Sequence, residues 1–305
     1  MWFKNVRLYS VELDDTLKGI FNKESLLEER LQSVSFHPTG QLELSSCGFG
    51  PVFGRNTEAF SFSHDHNHFF RFIEENKLLP SSIVNQALLD EIELKEQELN
   101  RSLKKSEKAA LKTALLNKMM AQAFATRREL VIWVNSRYGF VGVSASSAKR
   151  AESALTILRK ALGGSFPAKS FNPRCVVDDR LTNFLYKNDL PENFSLGNDA
   201  VLKSNDDTGA TVRVSKEDLT TEEVLNHIKA KKVVTELQLN FAECVQFVIT
   251  NELALKRVTL EDQYLEQNLP QKSDDKLADL QGFLIVEGDV LTNLVSQVTK
   301  VFDCD

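Results

Sequence analysis

Two kinds of residue in this chain are spaced for chemistry: imidazoles and carboxylates that could hold a metal, and cations that could hold phosphates. His64-Asp65-His66-Asn67-His68 would set three imidazoles on one face of a strand, which is a metal-ligating pattern. Asp65 and Asn67 are turn formers, however, and aromatic strand-like runs flank them, so the segment predicts a hairpin turn. Asp178-Asp179 and Glu222-Glu223 offer the carboxylate pairs of a metal-dependent nuclease. Adjacent carboxylates on a strand point to opposite faces, and Thr220-Thr221-Glu222-Glu223 reads as a capping box opening a helix over 221–230. Gly48-Phe49-Gly50-Pro51-Val52-Phe53-Gly54 lacks the Gly-Lys-Ser/Thr ending of a phosphate-cradling loop and predicts a loop that packs Phe49 and Phe53. No Gly-x-Ser-x-Gly and no Cys/His pair is present. The expectation is therefore no catalytic residue, no metal and no cofactor.

The cations carry a stronger signal. Between Arg101 and Arg128 stand eight Lys/Arg (101, 104, 105, 108, 112, 118, 127 and 128) against one acid, Glu107. That leaves +7 in the segment, and the chain total of -6 then puts -13 on the remainder. Positive charge gathered in one segment of an acidic protein builds a local field. Residues 82–124 contain no Pro or Gly and are rich in Leu, Ala, Lys, Glu and Gln, which predicts helix. At about 100° per residue, Arg101, Lys104, Lys105, Lys108 and Lys112 fall in a stripe roughly 100° wide. Leu103, Ala110 and Ala114 fall opposite. A cationic stripe on a rod roughly 40 Å long matches rows of phosphates without reading bases. Lys118, Arg127 and Arg128 extend the basic character, and Phe124 beside them is an aromatic that could wedge against or stack on bases. A solvated helix face is the competing reading. The missing counter-charge speaks against it, because such faces mix signs at i and i+4.

The elements that must position these residues alternate between strand and helix. Residues 2–10 predict a first strand and 23–34 a helix. Residues 130–134 and 139–143 predict two strands joined by a turn, and 145–162 a helix ended by Gly163-Gly164. Further strands are expected at 232–240, 244–250 and 254–260, a last helix near 287–302, and a polar loop over 193–208. The helical arm interrupts a β-containing region. The expected architecture is α/β of the α+β type: a central domain (1–78 and 129–171), an inserted helical arm (79–128) and a C-terminal α/β domain (172–305).

With 305 residues, 42% hydrophobic and 26% charged, the chain has ample core for two or three domains. No apolar run approaches the roughly 20 residues of a membrane span. The N-terminus shows no signal-peptide pattern, and Cys47, Cys175, Cys244 and Cys304 are scattered as in a reducing compartment. A cytoplasmic location is the expectation.

Six blocks carry a resemblance: Trp2-Phe-Lys-Asn5, Leu79-Pro80, Leu103-Lys-Lys-Ser-Glu-Lys108, Ala121-Gln-Ala-Phe124, Ser147-Ala-Lys-Arg-Ala-Glu152, and the run from Asp218 to Leu237. In this order they resemble the recombination-associated RdgC family of bacterial DNA-binding proteins. The resemblance implies a homodimer closed into a ring around duplex DNA, bound without sequence preference. It implies that occupancy hinders RecA and touches replication-fork repair, and that the protein is nucleoid-associated. It also places DNA-binding roles on Arg101 and Phe124 of the arm and on Lys216. Single-stranded DNA is a further candidate partner, and no membrane partner is expected. Two alternatives from other classes stand beside this reading: a metal-dependent nuclease acting on the same DNA, and a protein-interaction module that grips an acidic partner with its basic helix.

Overall fold

The computed structural model describes residues 2–206, 209–269 and 274–304. In chain order these form β1 (Arg7–Ser10), α1 (Asp15–Phe21), α2 (Glu24–Gln32), β2 (Ser45–Gly50), β3 (Ser61–His64), β4 (Asn67–Lys77), α3 (Ser81–Leu99), α4 (Lys105–Gln122), β5 (Ala125–Asn135), β6 (Phe140–Val143), α5 (Ala148–Ala161) and β7 (Lys169–Ser170). The second half adds α6 (Val177–Tyr186), β8 (Phe194–Ser204), β9 (Thr211–Val214), α7 (Glu222–Lys229), β10 (Lys232–Phe241), β11 (Val245–Thr250), β12 (Leu255–Leu260), α8 (Asp262–Asn268) and α9 (Lys276–Val301). The class is mixed α/β with antiparallel sheets, as expected. One sheet has the order β2-β4-β5-β6-β1-β7, with β3 paired to β4; the other is β12-β11-β10-β8-β9.

The chain divides into two compact units. The first comprises 1–34, 51–71 and 130–305; the second comprises 35–50 and 72–129. In the first, α6 and α7 pack on β10, and one apolar cluster joins Phe3, Phe69 and Trp133 to Leu237, Phe247, Leu291 and Val295. Gly288 lets α9 come close to β4: a Cβ there would meet Phe69 Cζ at 2.7 Å. Beside it, Asn67 Oδ1 accepts from Trp133 Nε1 (2.8 Å), Asn135 Nδ2 (2.9 Å) and Thr292 Oγ1 (3.1 Å), a buried polar cluster with its donors satisfied. The second unit holds β2, the adjoining parts of β4 and β5, and the helices α3 and α4.

Several expectations need correction. Of the segment 193–208, expected to be a polar loop, residues 194–204 form the 11-residue strand β8, and 207 and 208 lie outside the described residues. Gly197, Ala200 and Leu202 of β8 are buried, while Ser195, Asn198 and Lys203, which suggested a loop, are exposed. The first strand begins at Arg7 rather than Trp2. The last helix begins at Lys276, where Asp275 caps it, rather than near 287. Asp178 and Asp179 sit in the first turn of α6, not on a strand. The capping box at Thr220–Glu223 does not form. Thr221 precedes α7, but its hydroxyl is buried without a hydrogen-bond partner, and Asp218 instead accepts from the Thr220 N–H and Oγ1.

The His64–His68 stretch is the expected hairpin, with β3 and β4 joined through Asp65 (φ 51°) and His66. His68 is buried between Ser63 Oγ (2.9 Å) and Ser136 Oγ (3.0 Å), and burial pushes its pKa down to about 4. Phe49 and Phe53 are both buried as expected, but Gly48-Phe49-Gly50 ends strand β2 and is not part of a loop. Among the described residues no group of three or more His, Cys, Asp or Glu could hold a metal ion, and no helix is long and apolar enough to cross a membrane.

Candidate nucleic-acid interface

The arm is two helices, not one rod. Asn100 takes the left-handed conformation (φ 50°, ψ 35°) and its N–H returns to the carbonyls of Glu96 and Gln97, which closes α3 in the way Asn and Gly commonly do. Leu103 then buries itself in the turn, its N–H donating to Glu96 Oε1 at 2.8 Å. The Lys104 N–H donates to Glu107 Oε2 at 2.7 Å, which starts α4. At the far end the Leu78 N–H donates to the Phe124 carbonyl, so α3 and α4 run antiparallel as a hairpin. Val84 of α3 and Leu115 of α4 are buried between them. Ala110 and Ala114, expected on the apolar side, are exposed, whereas Leu111 is half-buried and Leu115 buried.

This turn redistributes the charge. Arg101 lies outside both helices and makes two hydrogen bonds to the Glu107 carboxylate (2.9 and 2.8 Å). That fork and the Lys104 N–H hold the Glu107 carboxyl down to about 2. Lys108 pairs with Glu96 at 3.1 Å, and Arg127 grips Glu75 through Nε (3.1 Å) and Nη2 (2.9 Å) while its guanidinium covers the Phe36 ring at 4.7 Å. Glu75 also accepts from the Thr39 N–H (2.8 Å) and Oγ1 (2.9 Å), so its carboxyl lies below the usual range, chiefly through the Thr39 N–H. Three of the eight cations are therefore committed inside the second unit.

The other five are not. Lys104, Lys105, Lys112, Lys118 and Arg128 are exposed, and among the described residues none has a carboxylate in ion-pair range. Lys105 and Lys112 lie roughly 20° apart on α4, and Lys118 projects from another side. The five-residue stripe expected from the sequence is thus reduced to a narrower one. The hairpin is also polarised: α3 carries Asp90, Glu91, Glu93, Glu96 and Glu98 against Lys95, whereas α4 carries Lys105, Lys108, Lys112 and Lys118 against Glu107. Folding a mixed-sign segment back on itself separates the signs onto two helices.

Phe124 is 86% exposed, with its backbone fixed by the Leu78 contact and its ring in solvent. Lys216 lies in the first unit, in the turn after β9. It has a left-handed backbone (φ 58°), its N–H donates to Asp199 Oδ1 (2.9 Å), and its side chain is exposed. One feature of the surface had no clear sequence signal. Of the eleven exposed large hydrophobic side chains among the described residues, eight belong to the second unit: Leu42, Leu44, Leu78, Ile83, Leu89, Leu94, Leu99 and Phe124. Within a helical segment, leucines that face a partner helix and leucines that face solvent look alike.

These elements define a mixed α/β protein with antiparallel sheets and a polarised helical hairpin whose basic helix keeps unpaired lysines. A family model described as "Putative exonuclease, RdgC" matches residues 1–304. The recombination-associated protein RdgC of Shewanella loihica is 31% identical over 301 residues, covering 99% of this chain and 97% of that protein. Those of Salmonella paratyphi B and Salmonella typhimurium are each 32% identical over 268 residues, covering 88% of this chain and 86% of theirs. The chain belongs to the RdgC family, whose named members are recombination-associated proteins.

Proposed function

We propose that this protein binds duplex DNA without sequence preference through the basic helix of its hairpin, acts as a homodimer, and restrains RecA-mediated recombination by occupying the DNA. The carrying observation is the set of unpaired cations, Lys104, Lys105, Lys112, Lys118 and Arg128, in a chain whose overall charge is -6. Cations with no carboxylate in ion-pair range among the described residues gain most from phosphates, because each contact releases condensed counterions; of the five, Lys104 also acts on the Glu107 charge. None of them needs a base edge, which favours binding by charge and shape. Phe124 stands ready to wedge or stack beside them. Lys216 offers a further cation, and the paired Arg101, Lys108 and Arg127 shape the hairpin more than they bind. The eight exposed apolar side chains of the second unit support a dimer, since monomers rarely leave that much apolar surface in one region.

The test has three arms. Gel-shift titration with unrelated duplexes of equal length reads retention and its sequence independence, and light scattering with and without duplex reads the dimer. A RecA strand-exchange reaction, with this protein added before or after RecA, reads restraint. Retention that vanishes at low salt, or strand exchange unaffected by prior binding, overturns the proposal. The family model's description favours a second reading, an exonuclease. Incubation with end-labelled DNA and Mg²⁺ or Mn²⁺ separates it, since binding alone releases no fragments.

A further inference from the structure

A second surface, in the first unit, carries a different recognition chemistry. The turn between β5 and β6 is Ser136-Arg137-Tyr138-Gly139. The Tyr138 ring is 51% exposed and stacks on Phe140, with centroids 5.6 Å apart and planes at 20°. Phe171 meets Phe140 edge-on at 6.1 Å and 87°. The Arg137 guanidinium leans over the Tyr138 ring, 5.4 Å from its centroid. Three aromatic rings and a guanidinium thus form a continuous column that ends in solvent.

The column is held rigidly. The Arg137 and Tyr138 N–H groups both donate to Asn135 Oδ1, at 3.1 and 3.0 Å. Asn135 Nδ2 in turn donates to Asn67 Oδ1 (2.9 Å), within the buried polar cluster. Gly139 is left-handed (φ 68°), and a Cβ there would come within 2.3 Å of the Val11 carbonyl, so the turn lies tight against the chain leaving β1.

Cations flank the column. Neither Arg137 nor Lys169 has a carboxylate in ion-pair range among the described residues. Lys169 and Phe140 are both paired with Ser10, from opposite sides of β1, so they lie on one face of the sheet about 10 Å apart by strand spacing.

We infer that this turn is a stacking site for an unpaired base of single-stranded nucleic acid, the base covering the Arg137–Tyr138 end of the column and Lys169 meeting a flanking phosphate. The half-exposed Tyr138 ring, with Phe140 on it and the Arg137 guanidinium over it, gives the column a flat Arg–Tyr outer end on which a base can stack, and Lys169 supplies backbone attraction. A duplex has no free base face to offer, so the site discriminates by strandedness. The inference rests on the reading of this protein as a nucleic-acid binder and adds a site outside the hairpin.

Fluorescence anisotropy with the full chain tests it, using fluorescein-labelled (dT)20 and a 20-base-pair duplex in parallel. Tyr138→Ala should weaken (dT)20 binding by about 5- to 100-fold, the worth of one stacked base, and leave duplex binding unchanged. Tyr138→Phe should bind (dT)20 like the wild type, because the ring and not the hydroxyl does the stacking. Far-UV circular dichroism should be the same for all three proteins. Wild-type affinity for (dT)20 in Tyr138→Ala overturns the inference, as does an unchanged protein that binds duplex but not (dT)20; both leave the proposed function standing. Binding of neither nucleic acid by the wild type overturns the proposed function itself.

Discussion

Replacing Lys105 and Lys112 by Gln should flatten the salt dependence of duplex binding, whereas removing the Arg101–Glu107 pair should not. The logarithm of affinity falls with the logarithm of salt by about 0.9 per phosphate neutralised. Five unpaired cations per chain, all meeting phosphates, give a slope of about -4.5, and affinity falls about 500-fold between 50 and 200 mM salt. With Lys105→Gln and Lys112→Gln the slope becomes about -2.7 and the fall about 40-fold. If all eight cations of the segment met phosphates, the slope would instead be about -7. The control is Arg101→Gln with Glu107→Gln, which deletes one cation and the carboxylate that holds it. A glutamine at 107 can still accept the Lys104 N–H and start α4. Anisotropy of a fluorescein-labelled duplex across a salt series reads all three slopes, and far-UV circular dichroism checks the helices. A wild-type slope near -7 for each bound chain (about -14 for the dimer, against about -9 expected), or equal flattening by both double substitutions, refutes the division into paired and free cations.

Three further outcomes follow from the same coordinates. Phe124→Ala should change thermal stability by less than about 0.5 kcal/mol, as expected of an exposed ring, while DNA retention in a gel shift falls; a large loss of stability would place the ring in an interior contact. Glu75→Ala should cost the second unit about 1–3 kcal/mol in urea unfolding, because it orphans the Arg127 fork and the Thr39 donors, and an unchanged midpoint would count against that role. Glu287, buried in α9, accepts from the Trp2 N–H at 3.0 Å, and burial lifts its pKa from 4.5 to about 7. The folded state therefore holds more protons than the unfolded chain between those values, so this carboxyl lowers stability as pH rises from about 4.5 to 7. Glu287→Gln should remove that decline, and melting curves at pH 5 and pH 8 that differ equally in both proteins would contradict it.

Much was legible in the chain. Alternating and periodic apolar residues marked β5, β6, β10, β11, β12, α2 and α5. Composition alone located the basic segment, and turn chemistry marked the His64–His68 hairpin. The errors turned on backbone conformations and sheet neighbours that residue types alone leave open. β8 looked like a loop because only one of its faces is buried and the polar face is open. The cationic stripe looked continuous because helix propensity runs through Asn100, whose left-handed conformation is stabilised by Leu103 entering the turn.

By itself the sequence determined the net positive excess of residues 101–128 within an acidic chain and the mixed helix–strand character, because those follow from residue types and short-range periodicity. Tertiary structure decided which cations remain for a ligand. Glu75 lies 52 residues before Arg127 and Glu96 twelve before Lys108, and those pairs form only when β4 meets β5 and α3 folds back on α4. An ion pair depends on distance in space, and a linear chain does not contain it.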